Sequence, residues 1–130
     1  MEDIIRIGTV SSIDRENGLV SVLYQDRDGK VTQPLPLLAP GGEYMMPGIG
    51  DKVLVTHLSN GGEMGIVLGT FWNEENAPGT EAVYHKRIAP GVAVEYDTDT
   101  GVLSVTAPHI TFRATGDNTE VSVADLKERT

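Results

Sequence analysis

The stretch Gly91–Leu126 reads "GVAVEYDTDTGVLSVTAPHITFRATGDNTEVSVADL". Its apolar residues recur at every second position in very short runs, the period of a β-strand with one buried face. Val92, Val94 and Tyr96 form one row. Leu103, Val105 and Ala107 form the next, then Ile110 and Phe112, then Val121 and Val123. The segments "DTDTG", "AP" and "TGDN" punctuate them as turns. About four such strands, each apolar on one side only, need something to cover that side. Too little chain remains for a second layer. The closing "VADLKERT" has the length of about one helical turn. The simplest cover is another copy of the same segment. Three chains winding their strands around a common axis would bury Val92, Val94, Tyr96, Leu103, Val105, Ile110 and Phe112 and expose the Thr, Ser, Asp and Arg between them. An obligate oligomer is the expectation, a homotrimer in that arrangement.

Composition narrows the function classes. The chain has 130 residues, 39% hydrophobic and 22% charged, an ordinary globular balance. No apolar run approaches the ~18 residues of a membrane span, and "MEDIIRIGTV" carries no basic leader, so a cytoplasmic site of synthesis is expected. The absence of cysteine excludes disulfides, zinc–thiolate sites and thiol nucleophiles. A net charge of −9 argues against nucleic acid as a partner, because phosphate neutralisation supplies most of that affinity. Aromatic content of 5% leaves few platforms for base stacking.

Toward the N-terminus, "IIRIGTVSSI" is rich in β-formers and "DRENG" follows as a turn. "LVSVLYQ" sets Val20, Val22 and Tyr24 on one face, against Ser21 and Leu23 on the other. "DRDGK" then supplies Asp28-Gly29, a strong hairpin signal. "VTQPLPLLAP" begins as a strand, but its prolines confine it to an edge or an extended connection. The hairpin "PGIGDKVLVTHLSNGGEMGIVLGTFWN" from Pro47 to Asn73 comes next. Val53, Val55 and His57 share one of its faces; Leu54, Thr56 and Leu58 share the other. About five strands in this region, at this turn spacing, suit a small closed barrel of the OB type. The polar "NEENAPGTEA" reads as a linker. The expected organisation is therefore all-β: an OB-fold barrel over 1–72, a linker over 73–83, and short strands intertwined between copies over 84–130, the last of which the resemblance described next makes a short trimeric β-helix.

Three segments, "GTVSSIDRENGLVSVLY", "GEYMMPGIGDKVLVTHLSNGGEMGIVLGTFWNEENAPG" and "VAVEYDTDTGVLSVTAP", resemble the phage baseplate assembly protein V family. These are the central spikes of contractile tails, related to the spikes of R-type bacteriocins and type VI secretion systems. The similarity runs from about Arg6 to Ala107, and its most specific part is the "P-G-x-G-D-x-V-L-V" to "G-x-V-L-G" hairpin. It implies an OB barrel followed by a trimeric β-helix tapering to a tip. In such a frame Pro47, Gly48, Gly50 and Asp51 would form the turn before the next strand, with unusual dihedrals at both glycines. Gly61 and Gly62 would close the hairpin. Gly65 and Gly69 would let backbones or neighbouring subunits approach closely.

The sequence departs from the family's longer members in three ways. They end in a His-x-His pair that holds an axial iron; here His57, His85 and His109 are isolated. No metal or other cofactor is expected. His109 falls out of phase with Ile110 and Phe112, His57 is in phase with Val53 and Val55 as a hydrogen-bonded barrel residue, and His85 sits in "YHKRIAP" at the junction. The needle is also stubby. It ends either in its own cap around Val121 to Leu126 or beneath a separate PAAR-type tip protein. Finally, the linker is far below the ~50 residues of a small inserted enzyme domain. Glu74–Glu75 and Asp97–Asp99 read as solvated turns, and "DTDTG" is an incomplete calcium loop. No catalysis is expected.

The resemblance implies a structural spike that plugs the tail tube, binds hub and baseplate proteins at its barrel end, and pierces the target cell envelope. Its place would be the baseplate of a virion or bacteriocin tail, after synthesis in the bacterial cytoplasm. The alternative is an OB-fold binding module for single-stranded nucleic acid or an oligosaccharide, which gives no reason for the alternation after Gly91.

Overall fold

The computed structural model describes residues 4–27, 29–58 and 64–127, and its regular structure is almost entirely antiparallel β-sheet. Asp28, Gly61 and Gly62, assigned above to turns, lie outside the described residues. The chain divides into two compact units, Met1–Asn76 and Ala77–Thr130.

The first unit holds β1 (Ile5–Asp14), β2 (Leu19–Tyr24), β3 (Lys30–Val31), β4 (Leu35–Pro36), β5 (Lys52–His57) and β6 (Gly65–Thr70). Two of these are only two residues long, because the prolines at 34, 36 and 40 interrupt donation to a ladder. The sheet order is β3-β2-β1-β5-β6, with β4 also paired to β2. A parallel bridge joins Leu37 to Val67, and the Leu38 N–H donates to the Val67 carbonyl at 2.8 Å. The circuit of pairings thus returns from β6 to the end of β4.

β1 serves two partners. Ile5–Thr9 pair with β5, and Thr9–Asp14 pair with β2. A bulge between Val10 and Ser12 bends the strand where one partner gives way to the other. The turn from β1 to β2 is held by Asp14, whose carboxylate accepts bonds from the Asn17 side chain at 2.9 Å and backbone at 3.3 Å. Those bonds, the side-chain one first, lower its pKa from the ordinary value.

Inside this circuit, Val20, Val22, Val53, Val55 and Val67 are wholly buried, joined by Val10, Tyr24 and Leu35. Valine is suited to the position, since a β-branched side chain loses little rotamer freedom on a pleated surface. Burying each is worth about 1.5–3 kcal/mol. His57 enters the same interior, and its Nε2 lies 2.7 Å from the Tyr24 hydroxyl. The Arg6 guanidinium sits 3.7 Å above the Tyr24 ring and reaches Asp26 at 3.3 Å.

The second unit holds a three-stranded sheet in the order β7 (Tyr84–Ala89), β8 (Val92–Asp97) and β9 (Val102–Thr106), and a hairpin of β10 (Thr111–Ala114) and β11 (Thr119–Ser122). A five-residue helix, α1 (Val123–Lys127), follows. None of its described residues is buried. The division at residues 76 and 77 falls inside the stretch read as a linker, and both sides of it are ordered. The Asn73 side chain accepts the backbone N–H groups of Glu75 and Asn76, while Asn76 donates to the Phe71 carbonyl at 3.0 Å. In the second unit, Arg87 donates to the carbonyls of Ala77 and Pro78 at 3.3 and 3.0 Å.

Candidate self-association surface

The register of the three-stranded sheet decides which side chains share a face. Gly91, at φ 78, closes the turn between β7 and β8 in a conformation that costs other residues a steric penalty. At the next turn the Asp97 carboxylate accepts the Asp99 N–H at 2.8 Å, and the Gly101 N–H donates to the Asp97 carbonyl at 2.8 Å. This fixes Tyr96 opposite Leu103 and Val94 opposite Val105. Directly opposed residues in an antiparallel pair point the same way. Val92, Val94, Tyr96, Leu103 and Val105 therefore stand on one face. Its central strand is half-covered, while Leu103 remains 64% exposed.

β7 extends this face, which the sequence reading missed. Tyr84 opposes Tyr96 and Lys86 opposes Val94. The alternation of Tyr84, Lys86 and Ile88 was the available signal, but the charged residues on both sides of "YHKRIAP" hid it. The reverse face is polar: His85 Nδ1 lies 2.7 Å from Glu95 Oε1, beside Ser104 and Arg87.

The other two expected axis residues lie elsewhere. Phe112 is on β10 opposite Val121, in a separate two-stranded sheet. Ile110 precedes that strand, and its carbonyl accepts the Val123 N–H at 2.9 Å. Val123 does not continue the row of Val121 as expected. It opens α1, where the Ser122 hydroxyl accepts the Asp125 N–H at 3.3 Å and turns the chain out of the strand. His109 is exposed, and among the described residues no group of three or more His, Cys, Asp or Glu side chains could hold a metal ion.

The hairpin residues of the first unit fall into two groups. Pro47 is buried, and the turn after it is stitched to β1 at the bulge: the Gly50 N–H donates to the Val10 carbonyl and the Val10 N–H to the Asp51 carbonyl, at 2.9 and 2.8 Å. Gly50 adopts φ 94; Gly48 does not take a positive φ, and its N–H is held instead by the Asp51 carboxylate at 2.8 Å. At Gly65 a Cβ would meet the Thr56 carbonyl oxygen at 2.6 Å, so the close approach expected there is to its own chain. Gly69 lies within β6, next to a bulge opposite Leu54, and a Cβ there would meet nothing of this chain within 4 Å. Its φ of 128 calls for glycine without any crowding from its own chain.

Neither protein-family models nor curated proteins give a match to this chain.

Proposed function

We propose that this chain is the homotrimeric central spike of a contractile injection machine, a phage tail or a bacteriocin. The proposal reads Met1–Asn76 as an OB-type barrel. Its support is the strand order β3-β2-β1-β5-β6 together with the parallel link from Leu37 to Val67. Ala77–Thr130 is read as a short intertwined needle built by three copies.

One observation carries the reading. A unit of short strands has an apolar face of Val92, Val94, Tyr96, Leu103 and Val105, and none of its described residues is buried. Such a face is stable in water only when covered. A spike supplies the cover by threefold self-association and has a use for the result, because interwound strands leave no free edge and resist deformation. The barrel end would seat on hub and baseplate proteins at the tail tube. The needle end would meet the target envelope directly or through a PAAR-type tip protein. Penetration would be mechanical, with no catalytic step and no cofactor. At −9 per copy, attraction to an anionic lipid surface cannot drive it.

The test is mass in solution followed by one substitution. The full chain is expected at about 42 kDa, three times 14.0 kDa. Val94→Asp would place an unpaired carboxylate on the covered face and should abolish the trimer while leaving the first unit folded. A mutant that still sediments as a stable trimer would contradict the assignment of the axis. A monomeric wild-type chain that shifts single-stranded DNA in a salt-sensitive manner would replace the spike with an OB-fold binding module.

A further inference from the structure

We infer that Asn17, in the turn between β1 and β2, is a site of spontaneous covalent modification, the loss of its side-chain amide, and that the Asp14 carboxylate restrains it. Asn17 is exposed to water and is followed by Gly18, at φ 68. Glycine has no Cβ to shield its backbone nitrogen or to limit its dihedrals, so that nitrogen can reach the preceding side chain. The step needs only this chain and water. The Gly18 nitrogen gives up its proton to solvent and attacks the Asn17 Cγ. A nitrogen–carbon bond closes a cyclic imide, the Cγ–Nδ2 bond breaks, and ammonia leaves with a proton taken from solvent. Water then opens the ring to aspartate or to isoaspartate.

Two contacts place the restraint on Asp14. Asn17 Nδ2, the group that must leave, donates to Asp14 Oδ2 at 2.9 Å, and the Asn17 N–H donates to Asp14 Oδ1 at 3.3 Å. The residue is thus tied back toward β1 through both of its nitrogens. Swinging the amide onto the Gly18 nitrogen costs the shorter of these bonds, which is charge-assisted. The carboxylate also opposes the negative charge that develops on the Gly18 nitrogen. The consequences reach the closure of the first unit. Aspartate at position 17 puts an acceptor where a donor stood, carboxylate against carboxylate. Isoaspartate adds a methylene to the main chain just before Gly18, whose carbonyl accepts the Leu37 N–H at 2.9 Å. Leu37 also makes the parallel bridge to Val67. The turn that reacts is therefore one that anchors the link back to β6.

The test uses the full chain carrying Asn60→Gln, which removes the other Asn-Gly pair of the sequence. The protein is held in mildly alkaline buffer, and conversion is followed by intact mass and by peptide mapping of residue 17. Adding Asn17→Gln should leave the chain unmodified. Adding Asp14→Ala should speed conversion of Asn17 at least roughly threefold over the parent. Asp14→Asn keeps an acceptor oxygen without the charge and should fall between the two. Circular dichroism checks that each variant is folded; where Asp14→Ala is not, the Asp14→Asn rate decides. Converted chain, separated by its extra negative charge, should unfold at lower denaturant than unconverted chain; an unchanged midpoint would contradict the anchoring role of the turn. Equal rates in the folded Asp14 variants and the parent, or no conversion at residue 17 in any of them, would overturn the inference and leave the spike reading standing.

Discussion

In Met1–Asn76 the inward valines of β2, β5 and β6 are wholly removed from solvent, whereas in Ala77–Thr130 the equally apolar Leu103 and Val105 stand mostly in water. Both units alternate apolar and polar residues at the same period. They differ in how the strands are connected. In the first, the bridge from Leu37 to Val67 brings the pairings back upon themselves, so the inward rows face one another. In the second, a three-stranded sheet and a two-stranded hairpin leave every described residue at least partly exposed. Alternation therefore tells which side of a strand is to be covered and leaves open what covers it.

The contrast is broken most severely by Val55→Asp. A carboxylate among buried valines has no partner, and the loss should exceed about 4 kcal/mol. Circular dichroism should show the first unit unfolded at every protein concentration. Val94→Asp, by comparison, should act only through the oligomer. If Val55→Asp melts no earlier than wild type, the two units do not differ as described.

Gly65→Ala should have an intermediate effect. Its Cβ would be driven against the Thr56 carbonyl oxygen, which is backbone and cannot swing away. A loss of about 1–3 kcal/mol is expected in denaturant unfolding of the first unit. Labelling or exchange in residues 84–122 should be unaffected.

Tyr24→Phe should have the smallest effect at neutral pH, about 1 kcal/mol, from loss of the bond to His57. It also has a pH signature. Burial raises the Tyr24 pKa above its ordinary 10.0; Asp26 adds to the rise and Arg6 opposes it. Below about pH 10 the hydroxyl is protonated in folded and unfolded chains alike, and its contribution is fully present. As pH rises further the unfolded chain ionises first, so stability falls until the folded Tyr24 also ionises. Wild type should lose stability in that window and Tyr24→Phe should lose less; parallel alkaline slopes would contradict the assignment.

Much of this was legible in the residues. The faces Val20–Val22–Tyr24 and Val53–Val55–His57 followed from strict alternation, and each is buried. The face of Val92, Val94, Tyr96, Leu103 and Val105 was legible for the same reason, helped by Gly101 in the turn. What escaped was nonlocal or polar. The cluster of Arg6, Tyr24 and His57 joins three distant segments, and no spacing rule connects them. β7 escaped because His85, Lys86 and Arg87 mask its period. At Gly69 the positive φ escaped, because glycine required by a dihedral looks, in a sequence, like glycine required by close approach.

The long reach of β1 has a consequence for synthesis. Ile5 must wait for Thr56, and Leu37 for Val67, before the first unit can complete its hydrogen bonding. Among the described residues after Ala77, every ladder instead joins neighbours in the chain, as Tyr84 joins Tyr96. Near-neighbour ladders zip quickly and distant ones slowly. On the ribosome the first unit nonetheless holds all its partners once Thr70 has emerged, before the later strands are made. Under the proposed self-association, the first unit is complete before the apolar face after Gly91 is made, and the supply of sibling chains then sets the yield.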